Sequence, residues 1–566
     1  LLFPSKMSFL AASASDFCIF IASHTFPEKA NILQSIILKA ISNIKTIPKK
    51  IFTRFKIPSS MKITIYDGYG TIGGNKIHLE EKGHGIFLDF GMNFSMYGRY
   101  YEEFLTERPS RGIYDLWQLG LIPRLNIYRE DLLTFDLISD VGKYKKIPLN
   151  AIIVSHAHLD HVGNISFLKN DVPIVGSPET MVILKSIRDT STGGHFGTEI
   201  PFTRERKKDS DGFVLKVPQG SSYIGRKMLV TEKMNNEATE FLNSIPGVPE
   251  NKIESDGLDQ YKNYDLHFNI KPYIVDHSIL GATAYVLEGD FSVAYTGDLR
   301  FHGKRGEHTE NFFKNAKNAR ILITEGTRIG RENDINVSEK QVYENAISIV
   351  EESKGLIIAD FSARNFERLE TFKNIAEKTG REMVITAKDA YYLNALDNLS
   401  KQEMMKNLKI YKEYSAKEYR WQEIIYEKYN DYFIDPNNIK KDFSKYIICF
   451  SFYDMPKLLD LMPDQGDYIY SSSEAFGEED IFSFERLLEW LNFFKFNVHG
   501  IKVENGEIIF EKGLHASGHA SMEDLIKGIE TMDPDFIIPV HTEKPEWFMQ
   551  NFENTILLKN SEGRDF

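Results

Sequence analysis

Cysteine is nearly absent: Cys18 and Cys449 are the two that 566 residues contain. So few cannot build a disulfide framework, and they exclude a Cys-rich structural zinc site. A reducing cytosol is therefore the expected compartment, and a cytoplasmic protein the default. Long apolar runs are missing as well; nothing reaches the roughly 18 residues that a membrane helix needs. The moderately apolar stretch 9–22 is broken by Ser13, Ser15 and Asp16 and follows no basic cluster of signal-peptide type. No membrane partner is expected. The chain also lacks repeats, low-complexity tracts and long flexible linkers. Positive charge is not in excess: 68 Lys and Arg stand against 81 Asp and Glu, a net charge of −13. Phosphate binding is driven by Lys and Arg, so this balance argues mildly against a nucleic-acid partner. A narrow cleft escapes that average, and metal-binding carboxylates are counted in it.

What remains is an ordinary globular composition, 42% hydrophobic and 26% charged, in a chain long enough for two or more domains. Its most informative feature is His156-x-His158-x-Asp160-His161, directly after the apolar strand Ala151-Ile152-Ile153-Val154. Imidazole and carboxylate suit Zn²⁺. Alternate positions on an extended segment point the same way, so His156 and His158 can grip one ion together. Asp160 and His161 are then free to face a second. Further ligands follow in order: His277 after Val275-Asp276, Asp298 after Tyr295-Thr296-Gly297, and His541 after Phe536-Ile537-Ile538-Pro539-Val540. Each stands just past an apolar strand, where a rigid sheet holds loop residues in place. Asp298 has two oxygens and can bridge both ions.

In this order the residues resemble the metallo-β-lactamase superfamily. The resemblance implies one zinc on His156, His158 and His277 and a second on Asp160, His161 and His541, with Asp298 shared. Mn²⁺ is the alternative ion. Ile321-Leu322-Ile323-Thr324-Glu325 delivers an acid to a strand end, and Leu514-His515-Ala516-Ser517-Gly518-His519 adds two histidines. These are similar to the extra motifs of the β-CASP nucleases: Glu325 first, His519 second, His541 third. A His at the third position marks the RNA-directed members, so RNA is the implied substrate. Gly70-Thr71-Ile72-Gly73-Gly74-Asn75, Leu88-Asp89-Phe90-Gly91 and Pro173-Ile174-Val175-Gly176-Ser177-Pro178 further resemble ribonuclease J and its archaeal relatives. The implied fold is α/β: a metallo-β-lactamase αββα sandwich with an inserted β-CASP parallel α/β domain. Stretches 95–145 and 186–270 look longer than that family usually has, and its separate bacterial C-terminal domain and archaeal KH domains are not apparent. A homodimer is left open.

The expected domains are a doubtful extension at 1–60, with Met61 the simplest true start; a first metallo-β-lactamase part at 61–350; the cassette at 351–505; and a C-terminal return at 506–566. Within the cassette, strands near 355–359, 383–386, 447–450 and 468–470 alternate with helices near 365–378 and 482–494, the pattern of a parallel sheet flanked by helices. Two cassette segments are candidates for touching substrate. One is Asp360-Phe361-Ser362-Ala363-Arg364-Asn365, where a helix N-terminus favours phosphate. The other is the polar turn Tyr470-Ser471-Ser472-Ser473-Glu474. Plain helix caps are the alternative reading of both. Ser362, Arg364, Ser472 and His515 are the substrate-binding candidates. Arg300, Lys304, Arg305, Arg328 and Arg331 lie beside the motifs either as phosphate contacts or as solvated surface charges.

The expected activity is metal-dependent hydrolysis of RNA phosphodiesters. His519 is the candidate general acid for the leaving oxygen, Glu325 orients it, and Asp160 steers the attacking water. A 5′→3′ exonuclease with some endonuclease activity is the favoured direction, because no added RNA-binding domain is apparent. A small-molecule thioester or lactone hydrolase shares the metal loop but needs neither the cassette nor Glu325 and His519. An inert RNA-binding subunit would not need every ligand present.

Overall fold

A computed structural model describes residues 61–566, apart from 102–104, 192–195, 256, 332–334, 363, 473–478 and 505–506. The stretch 1–60, like Ala363, Ser473 and Glu474, lies outside the described residues. Among those described, the apolar runs read from the sequence become strands of three large sheets.

An eight-stranded sheet begins at the edge strand Glu562–Asp565. It continues through Lys62–Asp67, Lys76–Glu81, His84–Leu88, Ala151–Ile153, Ile174–Gly176 and Met228–Val230 to Leu258–Gln260. A five-stranded sheet follows the order Asn269–Ile274, Thr283–Glu288, Ser292–Tyr295, Ile321–Thr324, Phe536–Pro539. Period-two alternation assigns their faces. Ile63, Ile65, Leu79, Leu88 and Ile153 pack against Tyr285, Leu287, Val293, Ile321 and Ile323 in one core between the sheets. Residues of opposite parity point outward. Ile152 and Ile174 bury Met181, Val182 and Leu184 of the helix Pro178–Thr190. Ala294 and Leu322 bury Phe312 and Phe313 of the helix Gly306–Asn315 and Leu525 and Ile529 of Met522–Met532. Helices, sheet, sheet, helices: this is the αββα sandwich, and the chain returns to it after the cassette to supply Phe536–Pro539.

The cassette is a third sheet, parallel throughout, in the order Phe433–Ile434, Leu408–Tyr411, Glu382–Ile385, Tyr446–Cys449, Leu356–Asp360, Gly466–Tyr470, Phe496–His499. Its strands are near-continuous apolar runs because both faces are covered, as parallel sheets require. Helix Phe366–Thr379 sits where its period of Leu369, Phe372 and Ile375 places it, capped by Asn365. The helix Glu339–Glu352 contributes Ala346 and Val350 to the same cassette core.

The two long stretches are part of this architecture. Leu116, Trp117, Leu132 and Leu137 from the first join the core beneath Pro178–Thr190. The second supplies the strands Met228–Val230 and Leu258–Gln260 and the helix Asn236–Asn243. That helix reaches the cassette: its cap Asn235 donates to the carbonyls of Asn398 and Leu399 at 2.8 and 3.0 Å, at the end of the helix Ala387–Ser400. Nearby, Tyr391 of the same cassette helix donates to Asp189 at 2.7 Å, and Asp189 also pairs with the buried Lys185.

Candidate metal centre

Strand ends assemble the site. Ser292–Tyr295, Ile321–Thr324 and Phe536–Pro539 run parallel and in register, pairing Tyr295 with Ile323 and Ile323 with Ile538. Their C-terminal ends therefore lie level and present Asp298, Glu325 and His541 together. From the facing sheet, Ala151–Ile153 leads into the loop of His156 and His158, and a short helix Leu159–Val162 carries Asp160 and His161. The backbone is forced at these turns. Gly297 adopts φ +54°, and a Cβ there would sit 2.5 Å from the Cβ of Ser155. His541 itself takes φ +52°, a left-handed conformation that costs a non-glycine residue on the order of 1–2 kcal/mol. Such strain persists where the surrounding structure fixes it.

The expected ligands meet as two groups. Nδ1 of His158 lies 3.0 Å from Nε2 of His156 and 3.3 Å from Nε2 of His277. Asp160, His161, Asp298 and His541 form the second group. In it, Nε2 of His161 is 3.1 Å from Asp298 Oδ2, and Nε2 of His541 is 3.2 Å from Asp160 Oδ2. Asp298 stands between the groups, with Oδ2 3.6 Å from His156 Nε2 and Oδ1 3.8 Å from His541 Nε2.

Contacts behind the rings turn these nitrogens inward. His277 Nδ1 donates to the carbonyl of Gly518 at 2.6 Å, leaving Nε2 as its available lone pair. Nδ1 of His161 is 2.7 Å from Asp89 Oδ2, and Nδ1 of His541 is 2.9 Å from the Thr327 hydroxyl. Asp89 is itself held by the Ser155 amide, the Ser155 hydroxyl and the Tyr295 hydroxyl, at 2.6–2.7 Å. Two inward atoms, His161 Nε2 and Asp298 Oδ1, are buried without a hydrogen-bond partner. Orphaned imidazole and carboxylate atoms that face one another in a buried cluster fit metal ions.

Electrostatics divide the groups in the same way. Burial is the main reason that His158 falls to about 4 and that His156 and His277 lie well below the usual imidazole range. All three are neutral, as ligation requires. Burial also opposes charge on His161, but Asp298, Asp160 and Asp89 outweigh it and hold its pKa well above the ordinary value. Asp298 is the converse: burial would raise it, and His161, His541 and His519 keep it well below the carboxylate range.

Glu325 and His519 adjoin the cluster. His519 Nδ1 is 3.1 Å from both Glu325 oxygens, and Glu325 is buried and further held by the Leu299 amide at 3.0 Å. Burial would raise the Glu325 pKa, but the neighbouring His519 brings it below its ordinary value. His519, His158 and His277 open onto a cleft of about 420 Å³, whose cassette wall includes Ser362, Arg364 and Ser472. His515 lines it too, its Nδ1 buried without a partner and its pKa pushed down to about 3, chiefly by burial. Asn365 caps its helix, accepting from the Arg368 amide at 3.2 Å.

Several residues outside the expected ligand and catalytic set hold this site. Asp89, Ser155 and Thr327 orient the clustered histidines His161, His156 and His541. Arg368 is fully buried and ties Glu339 to Ser471 and to the Leu514 carbonyl. Arg300 corrects an expectation: it is neither a phosphate contact nor a solvated charge, being wholly buried between Asp276 and Glu367.

Comparison with known proteins agrees with this geometry. Residues 510–556, which include His515, His519 and His541, match the family model of RMMBL, the Zn-dependent metallo-hydrolase RNA specificity domain. A ribonuclease J of Pyrococcus abyssi is 23% identical over 499 residues, covering 85% of this chain and 90% of its own. A ribonuclease J of Methanocaldococcus jannaschii is 21% identical over 494 residues, covering 85% and 91%. A crystal structure of a protein of unknown function from Enterococcus faecalis V583 shares the fold. Its TM-score is 0.62 and its identity 24%, across 90% of this chain and 100% of that one. Fold and site together define a β-CASP metal-dependent hydrolase of the metallo-β-lactamase superfamily. Within that class the chain is ribonuclease J-like. Among the described residues no helix is long and apolar enough to cross a membrane.

Proposed function

We propose that the protein hydrolyses RNA phosphodiester bonds with two bound zinc ions, Mn²⁺ being the alternative, and acts mainly as a 5′→3′ exonuclease. The observation that carries this reading is the His519–Glu325 pair, set beside a two-group metal cluster and opening on the same cleft as the cassette. His156, His158 and His277 would hold one ion, Asp160, His161 and His541 the other, with Asp298 shared. Bound there, the ions supply Lewis acidity, lowering the pKa of water and offsetting charge on a phosphate.

The side chains perform the rest. Glu325 accepts from His519 Nδ1 and fixes the ring's orientation, leaving Nε2 as the atom that delivers a proton to the leaving oxygen. Asp160, the most exposed carboxylate of the cluster at 21%, faces the attacking water. Ser362, Arg364 and Ser472 receive a terminal phosphate, and His515 as a neutral imidazole adds a hydrogen-bonding wall without repelling the adjacent arginines. These groups are supported by a position across the cleft from the metal cluster, where an end-anchored strand would present its first linkage.

The test compares one RNA with a 5′ monophosphate, a 5′ triphosphate or a circularised backbone, beside a thioester substrate. Mononucleotides released from the monophosphate form alone support the proposal. Rapid cleavage of the circle removes the end requirement, and thioester turnover without RNA turnover removes the ribonuclease reading.

A further inference from the structure

Arg300 lies two residues beyond Asp298, and its side chain is fully buried. A guanidinium out of water must be paired on every side to persist there. Its partners come from three separate segments. Nε donates to Asp276 Oδ1 at 3.0 Å, and Asp276 immediately precedes the metal-group residue His277. Nη1 donates to the carbonyl of Ser517 at 3.3 Å, two residues ahead of His519. Nη2 donates to Glu367 Oε2 at 2.7 Å, in the first turn of the cassette helix Phe366–Thr379.

Each segment is secured again close by. The Arg300 amide donates to the Asp276 carbonyl at 2.8 Å. His302 Nε2 donates to the same Ser517 carbonyl at 3.1 Å, and the Lys304 amide takes the other Glu367 oxygen at 3.1 Å. The loop 517–519 also lies against His277 through the Gly518 carbonyl, and a Cβ at Gly518 would stand 3.0 Å from the His277 ring. A rigid planar fork can hold three acceptors at fixed angles to one another; the single ammonium of a lysine cannot.

Resting on the ribonuclease reading above, we propose that Arg300 is a positioning residue. It sets the His519 loop and the cassette helix against the metal cluster, so that acid and RNA strand arrive in register. Its effect should fall on steps that need His519 and a cassette-held strand, and not on metal binding itself. Misplacement of a reacting group by about 1 Å costs on the order of a hundredfold in rate.

Two substrates separate this role from a merely structural one. RNA needs a protonated leaving oxygen and the cassette. Bis(p-nitrophenyl) phosphate needs neither, since p-nitrophenolate leaves without a proton and the molecule is small. Full-length Glu367→Gln keeps the Arg300–Asp276 pair and serves if Arg300→Lys does not fold. In Glu367→Gln, kcat for RNA is expected to fall about tenfold or more, with KM, metal content and small-diester turnover within about twofold of wild type. Arg300→Lys is expected to fall further on RNA, and the double variant to add little to it. RNA and small-diester turnover falling together with loss of metal would overturn the proposal, as would unchanged RNA turnover in folded Glu367→Gln. Failure of the ribonuclease reading shows separately, as wild-type protein that hydrolyses the small diester and leaves RNA intact; that outcome overturns this proposal too.

Discussion

The hydroxyl of Thr327 lies 2.9 Å from Nδ1 of His541 and donates to Glu325 Oε2 at 2.6 Å. With its hydrogen committed to Glu325, the oxygen can only accept from His541, which fixes that ring's tautomer with Nε2 toward Asp160 and Asp298. One threonine thus links His541 of the metal-type cluster to the carboxylate behind His519. Thr327→Val, which keeps the shape and removes the hydroxyl, should weaken metal binding about 10–100-fold, as loss of such ligand-orienting partners does. Thr327→Ser should restore it. Metal affinity measured by competition with a chelator decides, and equal affinity in the Val variant would discount the link.

His519→Ala should retain metal and fold but lose RNA turnover by about 10²–10⁴-fold, the usual contribution of a positioned acid. Circular dichroism, metal analysis and single-turnover cleavage together give the answer. Loss of metal from this variant would move His519 among the ligands, where its 4.0 Å approach to Asp298 would then matter.

Asp360 ends its strand beneath the cleft, 6% exposed and bonded to the Tyr468 hydroxyl. Burial raises its pKa to about 7, against the opposing Tyr468 bond and with a smaller push from Asp454. An unfolded Asp titrates near 3.9. Between those values the unfolded chain gives up a proton that the fold retains, so this contribution to stability falls as pH rises and levels off above about 7. Asp360→Asn has no such slope. Its stability relative to wild type should improve by on the order of 3–4 kcal/mol from pH 4 to pH 8, read by urea unfolding. Parallel curves would contradict the assignment.

Away from the cleft, Asp189 balances the fully buried Lys185 where the sandwich meets the cassette. Asp189→Ala leaves that cation unpaired and should cost about 3–5 kcal/mol. A melting temperature within a degree or two of wild type would mean that Lys185 escapes to water or loses its proton at little expense.

The sequence was most legible where function is local. His156, His158, Asp160 and His161 fall on one loop, and the strands before His277, Asp298, Glu325 and His541 are apolar enough to recognise without partners. The helix Phe366–Thr379 shows its period because one face is wet. The helix Ala387–Ser400 does not, being buried on most sides against the sandwich and the cassette sheet. The two-residue edge strand Phe433–Ile434 lacks the length to stand out, and in its neighbour Leu408–Tyr411 the apolar run is interrupted by Lys409. The roles of Arg300, Arg368, Asp89 and Thr327 were illegible for a different reason. Their roles depend on partners far along the chain, such as Glu367 for Arg300 and His161 for Asp89, and residue type alone does not distinguish a buried charge from a solvated one.

The most direct measurement is RNA cleavage by chelator-stripped, full-length protein as Zn²⁺ is added back in known equivalents. Cleavage is expected to be absent without metal, then to rise and saturate at about two ions per chain, one for the group of His156, His158 and His277 and one for that of Asp160, His161, Asp298 and His541. Cleavage by the stripped protein, or saturation at two ions with RNA intact, would contradict that expectation.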